Sequence, residues 1–234
     1  VVNGKIYMLS GAVWGGATDS VEMFDPTINQ WTYRATKPIP VSRVNGGAIG
    51  NRIYVPGGTY SGIEISWMEF YDTQSDTWYE AHHIQHVVTG AAVAVYNGKL
   101  YEIGGWAYQN QALDQIGEYD PETDSWSGIT SLHYARALLG AAVLNGKMYA
   151  IGGYDANGHA SSYVEEYDFN TKTWSIKAPL IVPRREFGVC AVKNKLYVIG
   201  GDYPNFNTCE IYDPVTNSWT MSTEVMPNLN YGGY

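Results

Sequence analysis

A tyrosine followed four residues later by glycine recurs five times, at Tyr7, Tyr54, Tyr101, Tyr149 and Tyr197, with spacings of 47, 47, 48 and 48 residues. Each copy is followed by an aromatic–Asp pair and then, six residues after the Asp, by a tryptophan: Asp25 and Trp31, Asp72 and Trp78, Asp120 and Trp126, Asp168 and Trp174, Asp213 and Trp219. Paired glycines stand beside four of the tyrosines, at Gly57-Gly58, Gly104-Gly105, Gly152-Gly153 and Gly200-Gly201, with Ser10-Gly11 in the first copy. A period of this length means a chain of small supersecondary units that bury their faces against one another.

Within a unit the signals are those of short strands. Small-residue runs such as Gly90-Ala91-Ala92-Val93-Ala94 and Gly140-Ala141-Ala142-Val143 lead into Asn97-Gly98 and Asn145-Gly146, a strong hairpin signal. The next strand, Lys-Leu-Tyr-x-Ile-Gly-Gly or a variant, is apolar on both faces and suits a position between neighbouring sheets. A third strand ends at the aromatic–Asp pair, a polar turn follows, and a fourth begins near the Trp. We label these strands a to d.

The hydrophobic run, the glycine pair, the spaced Tyr and the spaced Trp resemble the kelch repeat over the whole chain. The resemblance implies an all-β kelch β-propeller. The repeat count predicts five four-stranded antiparallel blades in one domain, 1–234, with units at about 1–44, 45–91, 92–139, 140–187 and 188–234. Val1–Tyr7 reads as the tail of a strand a and its hairpin, and Tyr231-Gly232-Gly233-Tyr234 as the start of one. Joining them places Tyr7 22 residues beyond Trp219, against 23 at every internal junction, so the two termini are expected to share one innermost strand and close the ring.

The net charge of −9 and pI near 4.9 argue against nonspecific binding to nucleic acid or an anionic membrane, and no apolar run reaches the length of a membrane span. A chain of 234 residues buries about 70 to 75% of its unfolded surface, enough for one compact monomeric body. Cys190 and Cys209 fall at positions held elsewhere by small or apolar residues and are expected to be packed, free thiols, which favours a reducing cytoplasm. No cofactor is expected.

Length variation points to the functional loops. The Trp-to-next-Tyr interval is invariant, whereas the interval from the second glycine position to the aromatic of the aromatic–Asp pair runs 13, 13, 14, 14 and 11. Variation is therefore confined to the loop between strands b and c, which in an up-and-down meander shares a face with the d-to-a connection. That face is the expected binding surface. Its candidates are Trp14, Tyr60, Trp106, Tyr108, Tyr154, Tyr203 and Phe206 from the bc loops, and Arg43, His83, His133, Arg136, Arg184 and Arg185 from the da connections. Aromatic anchors with arginine are the usual composition of interaction hot spots, and an arginine fork suits a carboxylate or an acidic peptide. The competing reading pairs these arginines with the carboxylates that recur two residues before the aromatic of each pair, Glu22, Glu69, Glu165 and Glu210.

Two further features stand out. His82, His83 and His86 lie within five residues, but in a loop their spacing carries little metal-binding meaning, and no metal site is expected. Glu102 replaces Met8, Val55, Ala150 and Val198 on strand b, where a carboxylate needs a partner or must line the central channel. Among kelch-like proteins the resemblance also implies enzymes. A copper oxidase would need a Cys beside a Tyr, which the two cysteines do not supply; a sialic acid epimerase-like site would draw on Glu102, His133, Arg136 and Arg184. The reading adopted is a noncatalytic module that binds a protein or peptide partner, with a carbohydrate-active or carbohydrate-binding protein as the alternative.

Overall fold

The computed structural model describes residues 1–13, 16–202 and 207–223. They form five successive antiparallel sheets in a five-bladed propeller arrangement, with one short 3-10 turn at Tyr108–Asn110 among the described residues. The third blade illustrates the unit. Strand a (Ala92–Tyr96) pairs with b (Lys99–Ile103), b with c (Ile116–Asp120), and c with d (Ser125–Gly128). The second, fourth and fifth blades repeat this a-b-c-d order, and the first has three strands, b (Ile6–Leu9), c (Val21–Asp25) and d (Gln30–Tyr33). The shared innermost strand expected from Tyr231–Tyr234 lies outside the described residues.

The repeated residues have specific mechanical roles. Tyr54 packs with Leu100, Tyr119 and Trp126 of the third blade, and Tyr149 with Leu196, Tyr212 and Trp219 of the fifth, so each tyrosine fills a wedge between sheets. Small residues on strand a let the sheets converge: a Cβ at Gly47 would stand 2.5 Å from Leu100 Cδ1, and one at Gly140 2.6 Å from Phe187 Cε2. The Asp of each aromatic–Asp pair accepts backbone N–H bonds in the c-to-d turn, as Asp120 does from Glu122 at 2.9 Å. Each later tryptophan donates its indole N–H to the preceding da connection: Trp78 to Ala35, Trp126 to His82, Trp174 to Thr130 and Trp219 to Ala178.

One latch is visible only in three dimensions. Asp124 accepts from the Tyr119 hydroxyl at 2.7 Å and from the His82 amide at 2.8 Å, tying the third blade to the connection before it. Asp76 does the same with Tyr71 and Ala35, and Asn217 with Tyr212 and Ala178. In the fourth blade the corresponding residue is Lys172, which has no acceptor. There the indole bond to Thr130 lengthens to 3.3 Å, against 2.8 or 2.9 Å elsewhere.

The expectation that both cysteines are packed needs correction. Cys209 is half-buried, but Cys190 is exposed. Strands a of the second, third and fourth blades each face the next sheet, which covers the corresponding positions.

Candidate interaction face

The bc loops and da connections are bound to each other by backbone pairing. Ser42 bridges Thr59, Thr89 bridges Trp106, and Arg136–Ala137 pairs with Tyr154–Asp155. The glycine pairs make this possible. Gly104 and Gly105 have φ of 62° and 100°, and a Cβ at Gly104 would meet the Arg136 carbonyl oxygen at 2.4 Å. The second glycine of the first three pairs then donates its N–H to the following da connection: Gly58 to Val88, Gly105 to Arg136 and Gly153 to Arg184, at 2.8 to 2.9 Å. Ser10-Gly11 preserves the geometry without the pair, with Ser10 at φ 57° and Gly11 donating to Val41 at 3.0 Å.

A second row of bonds runs through the residues that lead into strands a. Gly90 donates its N–H to Arg43, Leu138 to Gly90, and Glu186 to Leu138, at 2.8, 2.7 and 3.1 Å. All four residues are left-handed, with φ of 54°, 65°, 51° and 56° for Arg43, Gly90, Leu138 and Glu186. Only one is glycine, so the other three hold a costly conformation that the blade-to-blade bonds stabilise. This row places Arg43 and Glu186 as exposed charges just before their strands a.

From Arg43 a chain of ring contacts crosses three blades. Its guanidinium lies 5.9 Å from the centre of the Trp106 ring, Trp106 meets Tyr154 edge-on at 5.7 Å, and Arg185 stacks over Tyr154 at 4.4 Å. Arg185 is held by Asp202 at 2.9 Å, and the pairing raises its already high pKa against the opposing effect of burial. Tyr108 stands clear of this row and is mostly exposed. Tyr60 lies 6.3 Å from Trp67, which lies 6.5 Å from His83, itself bonded to Glu80 at 2.8 Å. Trp67 was not singled out from the sequence because it stands outside the repeated Trp position. Its placement beside Tyr60, one residue before strand c, was the available signal. Tyr134 and Tyr163 form a further stacked pair, 4.0 Å apart. Trp14, Tyr203 and Phe206 lie outside the described residues.

Arg136 and Arg184 do not belong to this surface. Both are fully buried: Arg136 bonds Glu165 at 2.8 Å and the carbonyls of Gly152 and Tyr163, and Arg184 bonds Glu210 at 2.6 Å, the Gly200 carbonyl and the Thr208 hydroxyl. Burial pulls the Arg136 pKa down while Glu165 pulls it back up. The reading that pairs these arginines with the repeated glutamates is the one the geometry supports, because a buried guanidinium needs its counter-charge. Arg43 is not their equivalent; it stands 11 residues before its Tyr, they 13. Position 13 is Val41 in the second blade, where Lys37 supplies the cation for Glu69 from a place held by Ile84, Leu132 and Leu180 in later blades. Burial depresses the Lys37 pKa, opposed by Glu69.

The histidines are dispersed rather than convergent. The His82 backbone serves the Asp124 latch, His83 turns to Glu80, and His86 to Glu102. His133 is exposed but anchored, with its backbone N–H and Nδ1 both on Glu165 at 2.8 and 2.7 Å. Among the described residues no group of three or more His, Cys, Asp or Glu is placed to hold a metal. Glu102, expected to be paired or to line the channel, has the His86 imidazole as its one ion-pair contact among the described residues, with Nε2 3.7 Å from Oε2. It is buried without a hydrogen bond on either oxygen, and burial raises its pKa to about 8.

Comparison with known proteins agrees with this architecture. The family model described as KLHDC2/KLHL20/DRC7 Kelch-repeats domain matches residues 1–201, and the Kelch motif matches residues 183–226. Kelch-like protein 35 of Mus musculus is 35% identical over 103 residues, 44% of this chain and 17% of that protein. F-box/kelch-repeat protein At1g67480 of Arabidopsis thaliana is 34% identical over 110 residues, 45% of this chain and 29% of that protein. The chain thus matches less than a third of the length of these relatives. A solved structure described as "Structure of YjhT" superposes with a TM-score of 0.73 at 20% identity, over 86% of this chain and 70% of that one, which speaks to the fold alone. With a family model spanning most of its length and the repeat mechanics described above, this chain belongs to the kelch-repeat family of β-propellers.

Proposed function

We propose that this propeller is a noncatalytic interaction module that binds a protein or peptide partner on the face built by the bc loops and da connections. Kelch-like relatives point to a protein-interaction propeller in general terms. The observation that carries the finer reading is the row Arg43–Trp106–Tyr154–Arg185, in which two cations flank two aromatic rings across successive blades. Such rows combine large, rigid contact area with charge, and few rotamers are lost when a partner settles on them. Arg43 has no carboxylate partner in the salt bridges of the described residues, so its guanidinium is free to meet an acidic group on the ligand.

The test is affinity capture with the intact protein and with a variant carrying Arg43→Ala, Trp106→Ala and Arg185→Ala, after checking that both melt alike. A partner retained by the first and lost by the second supports the reading. Identical retention overturns the assignment of the face, and retention only of glycans moves the function to carbohydrate binding.

A further inference from the structure

The third blade breaks a pattern that its neighbours keep. In the fourth and fifth blades a glutamate on strand c faces an arginine from the da connection, and in the second a lysine takes the arginine's part. In the third blade all three positions are emptied of charge: Val88 stands where the arginine would be, Ile84 where the lysine would be, and Gly117 where the glutamate would be. The carboxylate returns from the adjacent strand, because the residue paired directly with Gly117 is Glu102. The blade therefore keeps an acid in the same neighbourhood but has lost its cation.

The surroundings are shaped for an occupant. Glu102 is fully buried with neither oxygen bonded, and the nearby His86 Nε2, 3.7 Å from Oε2, is also buried and unbonded. Buried polar groups without partners are uncommon in folded proteins and point to an absent ligand, water or ion. A cavity of about 220 Å³ opens beside His86, bordered by His86, Gln115, Gly117, Trp126 and Ser131; Glu102 is not on its wall but stands against two residues that are, His86 and Gly117. A water occupies about 30 Å³ of the liquid, so the space admits a small organic group. Gly117 contributes to that space: a Cβ there would lie 2.9 Å from Trp126 and 3.6 Å from Glu102 Oε2.

We propose that this cavity binds a compact organic cation, a guanidinium or primary ammonium group, with Glu102 as its counter-ion and Trp126 as its aromatic wall. The ligand takes the place of the His86 imidazole beside Oε2 and supplies from outside the charge that Arg136, Arg184 and Lys37 supply from within the other blades. In the fourth blade the arginine fork also reaches the carbonyls of Gly152 and Tyr163, whose counterparts here are Gly104 and Gln115, and Gln115 borders the cavity. Binding completes an ion pair and releases to solvent the proton that burial favours on the Glu102 carboxyl.

The experiment is a titration of the whole chain with methylguanidinium, read by calorimetry and by the His86 imidazole NMR signals, with N-methylurea as the neutral isostere. One saturable site is expected, weakened at least about tenfold by Glu102→Gln and silent to N-methylurea. Glu102→Val, which installs the residue present at Val55 and Val198, provides a second variant whose fold the other blades already accommodate. Arg43→Ala is expected to leave the titration unchanged, which separates this site from the interaction face. A capped Gly-Arg-Gly peptide distinguishes sources: binding at least as tight as methylguanidinium assigns the cation to a protein side chain, and binding of the free cation alone to a small molecule. No saturation below about 50 mM, or equal binding by the Glu102 variants, overturns the proposal.

Discussion

Replacing Glu102 by Gln is expected to change how stability depends on pH, with a sign and size that follow from its burial. The carboxyl is raised to about 8 in the folded protein, from 4.5 for a solvated glutamate, because burial desolvates it and no hydrogen bond offsets that cost. The folded state therefore holds this proton more tightly than the unfolded chain. The stabilising effect of that proton is complete below the unfolded pKa, erodes as pH rises, and is gone above the folded one. At about 1.36 kcal/mol per pKa unit the whole span is about 5 kcal/mol, of which about 3 to 4 kcal/mol falls between pH 5 and pH 8. Glutamine matches the shape without the titration, so the stability difference between variant and parent should move in the variant's favour by that amount across the range. His86, whose pKa burial lowers, acts in the opposite sense, since its protonation at acid pH opposes folding. Both proteins keep His86, so its titration cancels in their difference except for the part that depends on its contact with Glu102. Urea unfolding of the two at about pH 5, 6, 7 and 8 measures it. Curves that stay parallel within about 0.5 kcal/mol would refute the reasoning and mean that Glu102 is ionised in the fold, as it would be beside a protonated His86.

Other expectations follow from the same comparison between blades. Arg136→Ala should cost about 3 to 5 kcal/mol in urea unfolding, because it strands Glu165 without its cation; a loss under about 1 kcal/mol would place that pair in water. Lys172→Asp should stabilise by about 0.5 to 1.5 kcal/mol, by giving Tyr167 and the Thr130 amide the latch that Asp76, Asp124 and Asn217 provide, and an unchanged melting temperature would count against the latch. The left-handed turn at position 172, with φ of 56°, already suits Asp. In native protein a maleimide should modify exposed Cys190 rapidly and Cys209 slowly, since burial raises the Cys209 thiol pKa and half covers it; mass spectrometry showing equal rates would contradict the described packing.

The sequence was most informative where a residue repeats. Tyr, Gly-Gly, aromatic–Asp and Trp each recur because each makes the same contact in every copy, so spacing alone gave the strand order and the number of sheets. The variable bc intervals likewise located the loops that pair with the da connections. Side-chain roles inside those connections were less legible. Arg43, Arg136 and Arg184 look alike in sequence, yet two residues of register separate an exposed guanidinium over Trp106 from two buried ones against Glu165 and Glu210. Lys37 was passed over because its meaning depends on Val41 lacking the arginine, a compensation between positions that only their common contact with Glu69 reveals.

By itself, then, the chain determined its architecture: local strand and turn chemistry, repeated five times, admits few ways to bury so many aromatic faces. Tertiary structure decided which charges are internal and which face outward, because burial depends on neighbours supplied by other blades. It also exposed the anomaly of Glu102, whose oddity in sequence was one unusual letter. Its cost depends on Gly117, paired directly opposite it, and on His86 of the second-to-third connection, neighbours that reach it only after folding.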